Sequence, residues 1–160
     1  MERSATISDC GKYRYDLWRR WDNTLPVCVF VGLNPSTADA TVDDPTIKRC
    51  VDFATQWMYG SLCMVNLFAF RATDPQEMLK AEDPVGFYND EALQKRFAEA
   101  RIIVCAWGKL GSHRRRDSAV MDLIPSSKRR CLKLNRGGSP SHPLYLPANL
   151  KPVPFPDLRL

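Results

Sequence analysis

Four short apolar runs in this chain each stop at a polar or glycine-bearing signature, and this arrangement restricts the fold more than any other feature. The runs are Val27–Val31 ending in Gly32-Leu33-Asn34-Pro35-Ser36, Leu62–Val65 ending in Asn66, and Ile102–Ala106 ending in Trp107-Gly108. The fourth is Cys131–Leu134, followed by Gly138-Ser139-Pro140-Ser141-His142-Pro143-Leu144. Read as strands of an open parallel sheet, these runs share one edge at their carboxyl ends, and ligands bind in the crevice outside that edge. Polar residues far apart in the chain then converge in one cleft.

The segments between the runs read as helices. Asp44 fits an N-cap and Pro45 the first helical position, where a missing N–H leaves no bond unmade. Ile47, Cys50, Val51, Ala54, Trp57 and Met58 recur at helical spacing as a buried stripe, and Gly60 is expected to end that helix. The next strand follows at once, which makes a β-α-β unit with a right-handed crossover. Asp74-Pro75 repeats the cap-plus-proline signal for a short helix over 76–81. Another helix is expected over 89–100, with Leu93 and Phe97 on one face, and a last short one over 118–124. Lys109 through Arg116 reads as a basic, glycine-containing loop. The opening Lys12–Trp21 segment, aromatics mixed with arginines, reads first as an edge strand packed over the domain, with a basic aromatic nucleic-acid surface as the alternative. Proline dominates from Pro140 to Pro156 and predicts an extended, irregular tail. The expected architecture is one α/β domain over residues 1–160, a three-layer α/β/α arrangement around a central, mainly parallel four-stranded sheet. Its core runs from about 25 to about 147 and its Pro-rich tail over 147–160.

Length and composition agree with this picture. A chain of 160 residues buries a real core without metal or disulfide staples. The excess of 23 basic over 18 acidic residues, a net +5, favours a polyanionic partner without establishing one. Of six cysteines, Cys28, Cys63, Cys105 and Cys131 lie in or beside the apolar runs, where a thiol behaves as a small buried hydrophobe. There is no C-x-x-C pair, and His113 and His142 have no ligand spacing to the cysteines, so no structural metal is expected. With no signal peptide and no apolar stretch near a membrane span in length, the chain reads as cytoplasmic, reduced and without a membrane partner.

Gly32-Leu33-Asn34-Pro35-Ser36 lacks the G-K-[ST] ending of a P-loop and the G-x-G-x-x-G of dinucleotide sites, and no zinc-deaminase signature is present. What remains is an amide at the first strand end, an amide at the second and a histidine after the fourth. Asparagine is no strong base, but its carbonyl orients a water and its amino group donates. Such groups suit a reaction whose transition state is mostly bond breaking. Cleavage of an N-glycosidic bond is of that kind, with an oxocarbenium-like sugar and a departing base whose charge a donor stabilises. Asn66, with a donor and an acceptor at fixed spacing, matches a nucleobase edge. Asp43 and Asp44 read as helix caps rather than metal ligands.

In the order of these motifs the chain resembles the uracil-DNA glycosylase superfamily over about residues 27 to 146. Its Gly-x-Asn-Pro motif is most similar to that of the mismatch-specific and thymine glycosylase branch. The resemblance implies a glycosylase-like fold in which Asn34 positions the attacking water and His142 stabilises the leaving base. It also implies that Asn66, with Leu33, Phe68 and Phe70, forms the base pocket. Trp107-Gly108 corresponds to the Trp-Gly at the superfamily's third strand end. Ser36, Arg71, Lys109, Arg114 and Ser141 become candidate DNA contacts, and Leu144 or Leu146 the wedge in the duplex. The aspartate of the most efficient branch is absent from the first motif, so strong general-base help is not expected. Phe68, Phe70 and Tyr145 are the candidates for the stacking aromatic, and Asp39, Asp43 and Asp44 would repel a phosphate unless neutralised. The Leu-Asn-Pro-Ser, Asp-Asp-Pro-Thr and His-Pro-Leu-Tyr segments also resemble a bacterial and phage family of unknown function. The implied partner is DNA, single- or double-stranded, or a nucleobase-containing small molecule, acted on by a monomer with no cofactor. A nucleotide N-glycosidase and a non-catalytic binder of modified bases are the alternatives.

Overall fold

The first three apolar runs lie side by side as parallel strands; the fourth parallel strand is Arg129–Cys131, which shares only Cys131 with the expected Cys131–Leu134 run, and three further strands extend the sheet on both sides. The computed structural model describes residues 1–157 and 159. The strands are β1 (Glu2–Ile7), β2 (Arg14–Arg20), β3 (Val27–Gly32), β4 (Ser61–Asn66), β5 (Ile102–Cys105), β6 (Arg129–Cys131) and β7 (Val153–Pro154). They form one mixed sheet in the order β1-β2-β4-β3-β5-β6-β7. The inner four, β4-β3-β5-β6, pair in parallel, whereas β1, β2 and β7 join antiparallel. The expected four-stranded sheet is thus corrected to seven strands. β1 escapes a search for apolar runs because Glu-Arg-Ser-Ala-Thr-Ile is mostly solvent-facing, and β7 because it is two residues long and contains proline. With β1 outside it, β2 is not an edge strand.

Helices cover both faces. On one side, α1 (Pro45–Gln56) sets Ile47, Cys50, Phe53 and Ala54 against Cys28, Phe30, Leu62, Met64 and Val104. On the other, α2 (Pro75–Lys80), α3 (Asn89–Glu99) and α4 (Arg116–Met121) bring Met78, Leu93, Phe97 and Val120 onto Val29, Val31, Val65 and Cys105. Alternate strand residues serve opposite faces, as a pleated backbone requires.

The capping signals place the helix starts well. Asp44 accepts the Ile47 N–H at 2.8 Å and Asp74 that of Gln76 at 2.9 Å, each followed by its proline. The end of α1 differs from expectation. It stops at Gln56, Met58 is exposed at φ +67°, and Phe53 takes the buried place assigned to Met58. Gly60 is instead a close-approach residue, because a Cβ there would collide with the Asp22 carbonyl. The Lys109–Arg115 segment is a kinked 3-10 turn and not an open loop, with α4 starting at Arg116 rather than 118.

The Pro-rich tail is docked. Leu146 and Leu150 pack on the α1 face, Trp57 Nε1 donates to the Leu150 carbonyl at 3.0 Å, and β7 closes on β6; tail residues 158 and 160 lie outside the described residues. All six cysteines are free, and burial pushes the thiols of Cys28, Cys50, Cys63 and Cys105 up. No helix among the described residues is long and apolar enough to cross a membrane.

Candidate functional site

β3 and β4 end side by side, with Gly32 opposite Asn66. Asn66 is only 2% exposed, and its side chain lies with that of Met64 over Gly32, where a Cβ would come within 2.8 Å of Asn66 Oδ1 and Met64 Cε. The Asn66 Nδ2 donor is buried and has no partner among the described residues. Leaving a buried amide donor unmade costs about 1–3 kcal/mol, so the group calls for an explanation. The backbone beneath it is rigidly held. Asn89 Nδ2 donates to the carbonyls of Asn66 at 3.1 Å and Leu67 at 3.0 Å, and Arg116 Nε donates to Leu67 at 2.8 Å. Arg116 is anchored in turn to Asp90. Sequence reasoning missed both supports: Asn89 read as a helix start and Arg116 as part of a basic loop.

Asn34, two residues beyond Gly32, is half-buried. Its Nδ2 donates to the carbonyls of Pro35 at 3.1 Å and Ala72 at 2.9 Å, which ties the first motif to the segment after β4. Oδ1 receives no donor among the described residues and is the atom available to a water. Ser36, Phe70 and Arg71 do meet, around a basic hollow of about 400 Å3 shared with Lys12, Thr37 and Thr73. Arg71 donates from Nη1 to the Gly11 carbonyl at 3.1 Å, and its Nε is buried without a partner among the described residues.

Two arginines of β2 support the loop over 36–44 from beneath. Arg19 is 0% exposed and bonds Asp43 Oδ1 at 2.8 Å, the Asp39 carbonyl at 2.7 Å and the Trp18 carbonyl at 2.8 Å. Arg14 donates to the Ala38 carbonyl at 2.9 Å, and burial lowers its pKa to about 10 against the opposing pull of Asp44. The acidic residues of this loop are all engaged. Asp39 accepts the Thr41 and Val42 N–H groups, which hold its carboxyl below the ordinary range; Asp43 pairs with Arg19 and Arg3; Asp44 caps α1. The one visible signal for Arg14 and Arg19 was their place among aromatics, which resembles an exposed basic surface as much as a buried one.

His142 Nδ1 accepts the Leu144 N–H at 3.2 Å, so the neutral ring carries its proton on Nε2 and is a donor there. Desolvation holds its pKa below 6.5, opposed by Asp44 at the start of α1. The preceding residues are stitched to the carboxyl edge. Gly108 N–H donates to Pro140 at 2.8 Å, Ser141 N–H to Lys133 at 2.8 Å, and Ser141 Oγ to Asn135 Oδ1 at 2.7 Å. Buried Ser141 is therefore occupied in holding its own segment. Of the wedge candidates, Leu144 is half-buried, and Leu146 packs on the α1 face with its carbonyl bonded to Arg49. Tyr145 between them is 93% exposed at φ +70°.

Other expected site residues lie elsewhere. Phe68 is fully buried in the α2–α4 face, its ring 5.7 Å from that of His113, and Leu33 packs on the same cluster. They do not share the α1 face with Asn66, because both lie just beyond the ends of β3 and β4, where the chain turns into the α2–α4 cluster. Arg114 donates to the carbonyls of Ala81 and Glu82, both at 3.2 Å. Lys109 borders the largest hollow, of about 690 Å3, whose apolar wall is Trp107, Met121 and Phe155. Neither this hollow, the basic one, nor a smaller one of about 220 Å3 against α1 is bounded by Asn34, Asn66 or His142. No metal-ligand cluster occurs among the described residues.

Fold and site together define an α/β protein in which Asn66 closes β4 and Asn34 follows β3 at the carboxyl edge of the parallel strands, while Asn34, Asn66 and His142 line none of the three hollows described. Residues 14–144 match the family described as "Protein of unknown function (DUF1643)", and the chain belongs to that family. The match opens on Arg14 and includes Asn34, Asn66 and His142. No curated protein and no solved structure matches the chain.

Proposed function

We propose that this protein hydrolyses the N-glycosidic bond of a flipped, damaged, mispaired or modified base in DNA, with a fold and site of the uracil-DNA glycosylase kind. The observation that carries the reading is Asn66, a nearly wholly buried asparagine at a strand end with an unmatched amide donor. A nucleobase carbonyl supplies the missing acceptor, and the adjacent Oδ1 accepts from a ring N–H. Asn34 Oδ1 orients the attacking water, while its own amide hydrogens hold the loop. His142 donates from Nε2 to the departing base and needs no added charge to do so. Arg71, Lys12 and Ser36 receive the backbone phosphate in the basic hollow. Because Asn66 is only 2% exposed, base entry requires the chain that covers it to move. Closing again would exclude water from the reacting bond.

The test is incubation of the purified protein with oligonucleotides carrying uracil, thymine mispairs or hypermodified bases, followed by alkali to reveal abasic sites. Cleavage that is lost in Asn34→Ala and in Asn66→Ala, with strand binding retained, is the expected result. It should weaken steeply as salt rises, through release of counterions from phosphate. Turnover of free nucleosides without salt dependence would replace this reading with that of a nucleotide N-glycosidase. Binding with no abasic product on any substrate would reduce it to a base-binding module.

A further inference from the structure

The hollow of about 690 Å3 at the ends of β5 and β6 has no part in the chemistry above. Its apolar wall, from Trp107, Met121 and Phe155, lies on the α2–α4 side of the sheet, away from Asn66. Trp107 is fixed there because Gly111 has no Cβ to displace its indole, and Phe155 meets it edge-on at 6.0 Å. No acceptor among the described residues takes the Trp107 indole N–H.

The opposite wall is the turn over 135–139, built before any ligand arrives. Asn135 N–H donates to the Ser139 carbonyl at 2.8 Å, Asn135 Nδ2 to Ser139 Oγ at 2.9 Å, and Gly138 N–H to the Asn135 carbonyl at 2.9 Å. Gly137 at its tip has open space where a side chain would be. The charges on the lining are unequal in availability. Asp157 is paired with Arg159, and Asp117 accepts the Ser118 N–H, whereas Lys109 and Arg136 are exposed and have no acidic partner among the described residues. The volume suits a small ligand, and the lining combines an apolar wall with Lys109 and Arg136, two exposed cations without an acidic partner among the described residues, beside the carboxylate of Asp117.

We propose that this hollow is a second binding site, for a mononucleotide unit whose base lies against the Trp107–Phe155 wall and whose phosphate meets Lys109 and Arg136. The hollow and its lining stand without the glycosylase reading, but the choice of a nucleotide among flat anions rests on it. The unit has two possible sources. It is a free nucleotide, or it is the neighbour, in a strand, of the base drawn toward Asn66.

The experiment is titration of the full chain, by calorimetry, with the four deoxynucleoside 5′-monophosphates, their nucleosides and a single-stranded hexamer. Lys109→Ala and Arg136→Ala replace exposed side chains and should leave the thermal midpoint unchanged. Each is expected to weaken mononucleotide or hexamer binding about tenfold, with nucleosides binding far less well than nucleotides. Saturation by mononucleotides identifies the free source, and binding of the hexamer alone identifies the strand. The proposal is overturned if nothing binds below about 1 mM, if both variants bind as tightly as the parent, or if nucleosides match nucleotides. Asn66→Ala separates the two readings. It should abolish cleavage and spare this site, so nucleotide binding here without cleavage anywhere would sink the glycosylase alone.

Discussion

The two faces of the sheet meet the carboxyl edge in opposite ways. On the α1 side the edge is closed and polar: Asn66 lies under cover with an unmade hydrogen bond, beside a loop strapped down by Arg14 and Arg19. On the α2–α4 side it is open and largely apolar, with about 690 Å3 of space and its two free cations at the rim. The unmatched Asn66 donor and the hollow of about 690 Å3 therefore occupy different sides of one edge. The lesson is that the largest hollow and the strongest chemical demand need not coincide.

The straps offer the sharpest way to break this contrast. Arg19→Ala removes the fully buried partner of Asp43 and of two carbonyls, and is expected to cost about 3–5 kcal/mol in urea unfolding. A loss below about 1 kcal/mol would mean that the loop over 36–44 is not held from beneath. Asn66→Ala comes next. Base release should fall about a hundredfold or more, as when one preorganised donor is deleted. Stability should change by less than about 1 kcal/mol, since the lost donor had no partner. Equal loss of stability and activity would show the residue to be structural. Gly32→Ala sets a methyl 2.8 Å from Asn66 Oδ1 and Met64 Cε. It should cost about 1–2 kcal/mol and reduce cleavage while leaving nucleotide binding at the Trp107 hollow untouched.

The smallest effect is electrostatic. His142 has a folded pKa below 6.5, so between that value and 6.5 the unfolded chain takes up a proton that the folded chain refuses. Stability from this group is present above 6.5, declines as pH falls through that window, and levels off below the folded pKa. An NMR titration of the His142 ring should show a midpoint below 6.5, and His142→Gln should flatten that part of the stability profile. Protonation at Nδ1 also removes the acceptor for Leu144 N–H, so cleavage should fall only as pH drops through the lower, folded pKa. His142 is exposed at the surface, and a midpoint at or above 6.5 would contradict the partial desolvation by neighbouring groups that lowers it.

Local signals were legible wherever chemistry and backbone need coincide. Asp44-Pro45 and Asp74-Pro75 announced helix starts, because a side-chain acceptor and a missing N–H both suit the first turn. β3, β4 and β5 were legible because runs buried on both faces are continuous and apolar, whereas β6, Arg-Arg-Cys, is polar and half-buried and the run expected there began at its last residue. Asn34, Asn66 and His142 stood out as polar groups at the ends of such runs. β1 and β7 did not, since strands that face water or contain two residues carry no such pattern.

What only the tertiary structure decided was which polar residues serve the fold and which remain free. Arg14, Arg19, Asn89 and Arg116 look like surface groups in the chain, yet each ties together backbone segments tens of residues apart. Phe68 and Leu33 follow strand-end motifs, yet the turn of the chain beyond β3 and β4 carries them into the α2–α4 cluster. Local preference acts over a few residues, so caps, runs and turns are written in the order of the amino acids. Whether a donor finds its acceptor depends on packing between distant segments, and no stretch of the chain carries that by itself.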